Sequence, residues 1–328
     1  MLIDSFKRTV DYLRLSLTDR CDLRCVYCMS ESTRFVPRDQ VLSLEEIERL
    51  CAVFVRGGGR KIRLTGGEPL MRPNALGLIR ALGSWVADGR LAELTMTTNG
   101  TRLAEFAGDL AAAGIRRINV SLDTLDATTF KTLTRGGTLQ RVLDGLEAAK
   151  AAGLRVRINC VAVPGIADRD AEALVEWCVG QGFDLCFIEM MPFGEGAASL
   201  GWSRLPLAEL RICLARRWSL FDVADRSSGP AQYVRVGDTG RRIGFIAPER
   251  HGFCQECNRV RLSCTGQLYP CLGREIRYDL RAALRAGAGD DELERHFATA
   301  VTLKPVGHAF AEQGDHAAPM RAMSVTGG

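Results

Sequence analysis

Tyr12-Leu13-Arg14-Leu15-Ser16-Leu17-Thr18 runs straight into Asp19-Arg20-Cys21-Asp22-Leu23-Arg24-Cys25-Val26-Tyr27-Cys28. The first stretch reads as a β-strand over Tyr12–Thr18. It feeds a loop carrying three thiols at C-x3-C-x2-C spacing instead of a tight turn. A thiolate is both the nucleophile and the soft metal ligand of the protein alphabet. Three local thiolates can hold three corners of an iron–sulfur cube. With no fourth thiol nearby, one iron stays open for chemistry. A structural zinc site would need a fourth ligand, and the nearest histidine, His251, is far off in sequence. A disulfide framework suits neither an odd number of thiols nor a chain of this size.

Outward from this loop, strand and helix patterns alternate. Ser43 can cap a helix over Leu44–Val55, with Glu46 three residues on as in a capping box, and Gly57–Gly59 end it. Strands follow at Lys61–Thr65, Leu91–Thr97, Ile115–Ser121, Leu154–Val161 and Leu185–Glu189. They are interleaved with helices at Asn74–Trp85, Leu103–Ala113, Ala127–Leu133, Leu139–Ala152 and Asp170–Gly180. Six strands alternating with helices imply parallel βαβ units, in an open barrel or a doubly wound sheet. Either architecture puts the active site at the carboxyl ends of the strands. Those ends carry Cys21, Thr65-Gly66-Gly67-Glu68-Pro69, Thr97-Thr98-Asn99-Gly100, Ser121-Leu122-Asp123-Thr124 and Ile188-Glu189-Met190-Met191-Pro192. In the fifth strand Arg155, Arg157 and Asn159 alternate with Val156, Ile158 and Cys160. One of its faces therefore meets either solvent or a polar ligand.

After Gly194 the rhythm stops, which divides the chain into residues 1–194 and a C-terminal region, 195–328. That region has a helix at Leu207–Trp218, short strands at Tyr233–Val236 and Arg242–Ile246, and a second cysteine group, Cys254, Cys257, Cys264 and Cys271. Four thiols could close a zinc ribbon or a fully ligated cluster. Alternatively Cys254, Cys257 and Cys271 form a second open trio. A turn at Thr265-Gly266 between Val260–Ser263 and Gln267–Tyr269 returns Cys271 toward Cys257 and leaves Cys264 at the far end, which favours the trio. Arg259 and Arg261 share one face of that hairpin and could bind an anion such as phosphate.

Composition sets the outer bounds. Of 328 residues, 46% are hydrophobic and 25% charged, as in globular proteins. The start lacks a basic segment followed by an apolar core, and no run of about 18 apolar residues suggests a membrane helix. Twelve cysteines then imply metal ligation in a reducing cytoplasm. A net charge of +4 is too mild to argue for nucleic acid.

Cys21-x3-Cys25-x2-Cys28 with Tyr27, followed by Gly66-Gly67-Glu68-Pro69, resembles the radical S-adenosylmethionine superfamily, whose fold is a partial (β/α)6 barrel. Leu13–Cys21, Lys61–Leu70, Thr97–Gly100, Ser121–Asp123, Phe253–Arg261, Cys271-Leu272 and the terminal Gly327-Gly328 extend the likeness end to end, to the MoaA-type GTP 3′,8-cyclases of molybdenum cofactor biosynthesis. The resemblance implies two [4Fe-4S] clusters, one on Cys21, Cys25 and Cys28, the other on Cys254, Cys257 and Cys271. It implies S-adenosylmethionine bound by the first cluster with Tyr27, Gly67, Ser121 and Met191. Reductive cleavage yields a 5′-deoxyadenosyl radical that takes the 3′ hydrogen of GTP. The C3′ radical attacks C8, and reduction gives (8S)-3′,8-cyclo-7,8-dihydroguanosine 5′-triphosphate. GTP is expected against Arg14, Arg63, Thr97, Arg157, Arg259, Val260 and Arg261, with its guanine on the second cluster. Gly327 and Gly328 resemble a tail that threads into the active site, where glycine permits close backbone packing.

The partners so implied are GTP, a downstream MoaC-type cyclic pyranopterin synthase and an electron donor such as flavodoxin. A homodimer is entertained, and neither nucleic acid nor a membrane is expected. Two departures from the family pattern stand out. Arg157 replaces a common Lys and keeps its charge, and Cys186 replaces an Arg, whose phosphate contact is either lost or supplied by another Arg. Cys264 is expected to stay unligated. The competing readings are a peptide-modifying radical enzyme and a zinc-stabilised binding protein.

Overall fold

The structure, a computed structural model, describes residues 1–191, 205–223, 229–247, 253–310 and 321–327. Its centre is built from β1 (Tyr12–Ser16), β2 (Lys61–Thr65), β3 (Glu93–Thr98), β4 (Arg117–Ser121), β5 (Arg155–Ala162) and β6 (Asp184–Glu189). Each strand is parallel to the next, and their order in the sheet is their order in the chain. A doubly wound sheet reverses order at a switch point, whereas continuous winding is that of an open (β/α)6 barrel. Between the strands lie α1 (Leu44–Arg56), α2 (Ala75–Ala87), α3 (Leu103–Ala112), α4 (Ala127–Leu133), α5 (Leu139–Ala151) and α6 (Ala167–Gln181). Ser43 accepts a hydrogen bond from the Glu46 amide while Glu46 accepts one from the Ser43 amide, the reciprocal box expected at the start of α1.

Alternation along the strands decides the two faces. Leu13, Leu15, Ile62, Leu64, Leu94, Met96, Ile118, Val120 and Ile158 are buried on the helix-covered side. Tyr12, Arg14, Lys61, Arg63, Arg117, Asn119, Arg157 and Asn159 line a cavity on the other. Parallel strands ordinarily read as continuously apolar. These do not, because the barrel interior is polar. The alternation of the fifth strand thus reports a polar interior cavity, and only Arg155 at its start is exposed.

The C-terminal region does not start a new sheet. After α7 (Leu207–Ala215) come β7 (Leu220–Asp222), β8 (Gln232–Val236), β9 (Arg242–Ile246), β10 (Arg259–Leu262), β11 (Gln267–Tyr269) and β12 (Tyr278–Asp279). The sheet order is β12-β11-β10-β1-β2-β3-β4-β5-β6-β9-β8-β7. β9 is parallel to β6 and β10 is parallel to β1, so the C-terminal region extends the barrel wall at both edges. Sequence periodicity misses this because neither strand reaches its neighbour by a local βαβ crossover.

Element ends shift for local reasons. The first strand stops at Ser16, short of Thr18, because the next two residues turn over the β2 loop. The Leu17 amide donates to Thr65 O (3.0 Å), and Thr18 O accepts from the Gly67 amide (2.7 Å). α6 begins at Ala167, three residues before Asp170, whose carboxylate accepts from Thr124 Oγ1 at 2.5 Å. No helix among the described residues is long and apolar enough to cross a membrane.

Two late helices, α8 (Leu280–Arg285) and α9 (Asp290–Thr302), close the structure on the α1 side. Phe297 of α9 meets Phe54 of α1 with ring centroids 6.0 Å apart, both side chains fully buried. Exposed pairs rim the contact, Arg49–Asp290 at 2.8 Å and Arg56–Glu294 at 2.9 Å, and contribute little beside the rings. Phe297→Ala should therefore lower unfolding stability by about 3–5 kcal/mol, read as a lower urea midpoint at unchanged slope. Arg56→Ala should cost under about 1 kcal/mol.

Candidate active site

The cysteine loop has no regular structure of its own and is held by the carboxyl ends of three strands and by one helix. From β2, the Glu68 amide donates to Arg20 O at 2.8 Å. Gly67 lies so close to the Asp19 and Arg20 carbonyls that a Cβ there would overlap them. From β3, Asn99 Nδ2 and Thr101 Oγ1 donate to the two Asp22 oxygens at 2.7 and 2.6 Å. Past β4, Asp123 accepts from Tyr27 Oη at 2.6 Å and from the Val161 amide at 2.8 Å. From α4, Leu133 O and Thr134 O accept from the Val26 and Arg24 amides.

Glu68 forms the floor of this rim. It is fully buried and accepts from Thr98 Oγ1, the Leu70 amide and the Asn99 amide at 2.8, 3.1 and 2.7 Å. Burial pushes its carboxyl up to about 7, against the pull of those donors. It was visible in Gly66-Gly67-Glu68-Pro69 but had no assigned part. Asp123, likewise pushed up to about 6 by burial, stood in Ser121-Leu122-Asp123.

Cys21, Cys25 and Cys28 are free and half-buried. Burial pushes Cys21 up to about 12 and Cys28 up to about 11. Cys25 is driven well above its ordinary value, first by burial and then by Cys28, Asp123 and Cys21. Three desolvated thiols that repel one another as thiolates suit a site completed by a cation. Among the described residues no three Cys, His, Asp or Glu side chains converge as ligands of a single ion do. Three thiols are one short of the four ligands of a closed zinc site and match three corners of a cube.

Below the rim the barrel encloses a second constellation. One cavity is lined by Arg14, Lys61, Arg63, Arg117, Arg157, Arg259, Arg261 and Lys304, and by no carboxylate among the described residues. Glu93 neutralises two of these cations from outside the lining, meeting Lys61 at 2.6 Å and Arg117 at 2.7 Å. Arg63 donates to Tyr12 Oη (2.6 Å) and Thr97 Oγ1 (3.2 Å). Burial, with crowding by Arg63, Arg259 and Arg157, holds Arg14 down to about 10, and burial with Arg14 and Arg259 holds Arg261 well below its ordinary value. Arg157 Nε, Asn119 Oδ1 and Asn159 Oδ1 are buried against this cavity without a hydrogen-bond partner in the protein. Such orphaned atoms fit an absent polar ligand.

Cys254, Cys257 and Cys271 line the same cavity. β10 and β11 pair antiparallel, with Arg261 opposite Tyr269, so Cys257 and Cys271 share one end of the hairpin. Cys264 sits at the other end, buried, its carbonyl accepting from the Leu42 amide at 2.8 Å, and is absent from the cavity. For Cys257 burial alone would raise the thiol, but the charges of Lys304 and Arg259 bring it down to about 7. This trio lies at the amino end of the barrel, opposite the carboxyl rim, because it precedes β10, which runs parallel to β1.

The structure thus brings Arg14, Arg63, Arg157, Met191, Arg259 and Arg261 together, with Thr97 reached through Arg63. Tyr27, Gly67 and half-buried Ser121 lie on the rim. Val260 points elsewhere: it is opposite Leu13 on the apolar face and buried, so only its backbone is available. Cys186 is buried beneath Gly244, within reach of the charge of Arg157. Tyr233 of β8 accepts from Arg157 Nη1 at 2.5 Å. Tyr12, Lys61, Arg117, Asn119 and Lys304 were not singled out from sequence, although Tyr12 and Lys61 stand two residues before Arg14 and Arg63.

The tail also reaches the rim. α10 (Met323–Thr326) carries Ser324, whose backbone hydrogen-bonds Cys28, and Arg261 donates to Gly327 O. Gly327 has φ of +72° and is pressed on Thr65, where any side chain would overlap. Gly328 lies outside the described residues.

Comparison with known proteins agrees with this geometry. A model of the radical SAM superfamily matches residues 15–178, and one described as Molybdenum Cofactor Synthesis C matches residues 183–310. A GTP 3′,8-cyclase of Nitrobacter hamburgensis is 51% identical over 328 residues, covering 100% of this chain and 96% of its own. That of Agrobacterium fabrum is 51% identical over 329 residues, covering 100% and 94%. The chain belongs to the GTP 3′,8-cyclase family of radical S-adenosylmethionine proteins. Among solved structures, Streptococcus suis SuiB bound to S-adenosylmethionine superposes with a TM-score of 0.62 over 87% of this chain and 67% of that one. At 16% identity that likeness shows the fold alone.

Two outcomes follow for this family member. Inorganic tripolyphosphate should stabilise the chain by relieving cation crowding, by about 2.7 kcal/mol at a hundred times its Kd, read as a rise in Tm. Burial alone would raise the Tyr12 phenol, but Arg63, Arg14 and Lys61 hold it down to about 7. A bound polyanion destabilises the phenolate, so binding should take up a proton and weaken as pH rises through 7. Tyr12→Phe should flatten that dependence in calorimetry. Separately, Cys264→Ala should leave reconstituted iron unchanged, whereas Cys257→Ala should remove roughly half of it, following one cube per trio.

Proposed function

We propose that this chain is itself a GTP 3′,8-cyclase, acting in the first step of molybdenum cofactor synthesis. The observation that carries the reading is the cavity lined, among the described residues, by eight cationic side chains, no carboxylate and three thiols, with a second trio at the carboxyl rim of the same barrel. The four steps from Tyr12 to Ser16 separate the two ends by roughly 13 Å at about 3.3 Å per residue. A nucleoside triphosphate spans such a distance.

Cys21, Cys25 and Cys28 would hold one [4Fe-4S] cluster, and Cys254, Cys257 and Cys271 the other. The first cluster would supply the electron for reductive cleavage of S-adenosylmethionine, the source of the radical chemistry at the ribose. The chain's own residues do the rest. Arg14, Arg63, Arg157, Arg259 and Arg261 fix the triphosphate by forked contacts and thereby aim the ribose at the rim. Tyr27, Gly67, Ser121 and Met191 border the space for S-adenosylmethionine. Gly327, with Gly328 beyond it, closes the rim by way of Arg261. Residues 1–194 would thus carry the radical-forming cluster, and the two regions, 1–194 and 195–328, share the cations that hold the triphosphate.

We place the enzyme in the cytoplasm with a small electron donor such as flavodoxin. A cyclic pyranopterin synthase of the MoaC type would take its product, and a homodimer is compatible with this assignment. The anaerobically reconstituted protein with reductant, S-adenosylmethionine and GTP should release 5′-deoxyadenosine and (8S)-3′,8-cyclo-7,8-dihydroguanosine 5′-triphosphate by mass spectrometry. A zinc-loaded chain without iron would sink the proposal. Arg157→Ala should weaken GTP binding about tenfold or more and leave S-adenosylmethionine binding unchanged, since one charged hydrogen bond is worth about 1.5–3 kcal/mol.

A further inference from the structure

Lys304 is a buried lysine in a turn that no catalytic assignment uses. Lysine is seldom fully buried unless every donor is engaged. Here all three are. Nζ donates to Cys257 Sγ at 3.3 Å, to Arg259 O at 2.7 Å and to Pro270 O at 2.8 Å. Arg259 follows Cys257 at the start of β10, and Pro270 precedes Cys271 at the end of β11. One side chain therefore ties both legs of the hairpin at the point where each carries a cysteine, and contacts one of those thiols itself.

The anchor of Lys304 is rigid. Its amide donates to Val301 O at the end of α9, and α9 is locked on α1 through Phe297 and Phe54. A second buried cation holds the same turn from the other side. Arg8, paired with Asp4 at 2.5 Å, donates to Pro305 O (2.6 Å), Val306 O (3.0 Å) and Cys254 O (2.6 Å). The 304–306 turn is thus fastened to Cys254 through Arg8, and to Cys257 and the Cys271 leg through Lys304.

We propose that Lys304 is a positioning residue of the second iron–sulfur site, which orients the Cys257 thiolate and raises the reduction potential of the cluster held there. This rests on the assignment of a cluster to Cys254, Cys257 and Cys271. A cation hydrogen-bonded to a ligating thiolate favours the reduced cluster, which carries one more negative charge. An apolar side chain of similar length removes that preference and frees the two carbonyls.

The test uses the full-length chain, reconstituted anaerobically, with Cys21, Cys25 and Cys28 changed to Ala so that the second cluster is seen alone. In that background Lys304→Met should shift the midpoint of an EPR-monitored redox titration to more negative potential and alter the EPR line shape, and Lys304→Arg should recover part of the shift. An unchanged midpoint and line shape in Lys304→Met would overturn the proposal. In the chain with all cysteines, loss of iron from the second trio alone in Lys304→Met also supports it. Loss from both trios marks a general folding role and overturns it. If the background chain with Lys304 intact binds no four-iron cluster, the parent assignment fails, whatever Lys304 does.

Discussion

Like charge confined in one enclosed space is the constraint on which this structure depends. Two unit charges about 6 Å apart at an effective dielectric near 20 repel by about 3 kcal/mol. Arg14, Arg63, Arg157, Arg259 and Arg261 face a common cavity, and their mutual crowding, with burial, holds Arg14 and Arg261 below their ordinary values. What holds them there is the opposite face of the same strands. Leu13, Leu15, Ile62, Leu64 and Ile118 are each completely buried, and such burial is worth about 1.5–3 kcal/mol per side chain. Because side chains alternate, the strands cannot bury those leucines and isoleucines without also turning the arginines inward. The outer core thus sustains the crowded cations, and a polyanion bound among them would relieve that crowding.

The rim obeys a different logic. The cysteine loop buries Leu23 and Met29 but is shaped by groups reaching up from the barrel: Glu68 and Gly67 after β2, Asn99 and Thr101 after β3, Asp123 after β4. Each of these belongs to a stiff strand end, so the loop inherits the rigidity of the sheet. The thiols are thereby pre-placed despite their burial, and any cluster they hold has little backbone to reorganise.

Much of this was legible from residue order, for identifiable reasons. The βαβ rhythm, the capping box at Ser43 and the hairpin at Thr265-Gly266 are short-range features, and all appear in the structure. The polar face of the fifth strand was legible as alternation, but its destination was not, since solvent and cavity leave the same pattern. The parallel pairing of β10 with β1, spanning the length of the chain, left no periodic trace. Nor did Lys304, one of five lysines and unremarkable until folding sets it between Cys257 and Pro270. Val260 shows the converse error: a motif treated as one stretch is divided by the pleat into two inward arginines and an outward valine.

The β1–β10 ladder is also what measures the substrate. Cys21 follows the carboxyl end of β1, and Cys257 precedes the amino end of β10. The register Tyr12–Arg259, Leu13–Val260, Arg14–Arg261 fixes how far apart the two trios lie. A slip of one residue would turn Arg259 and Arg261 into the apolar core and bring Val260 into the cavity, so the apolar face itself enforces the spacing. Arg261 occupies the midpoint of this ruler and also holds Gly327 of the tail. A polyanion in the cavity would compete with the tail carbonyl for the same guanidinium, which would make the position of the tail sensitive to whether the cavity is filled.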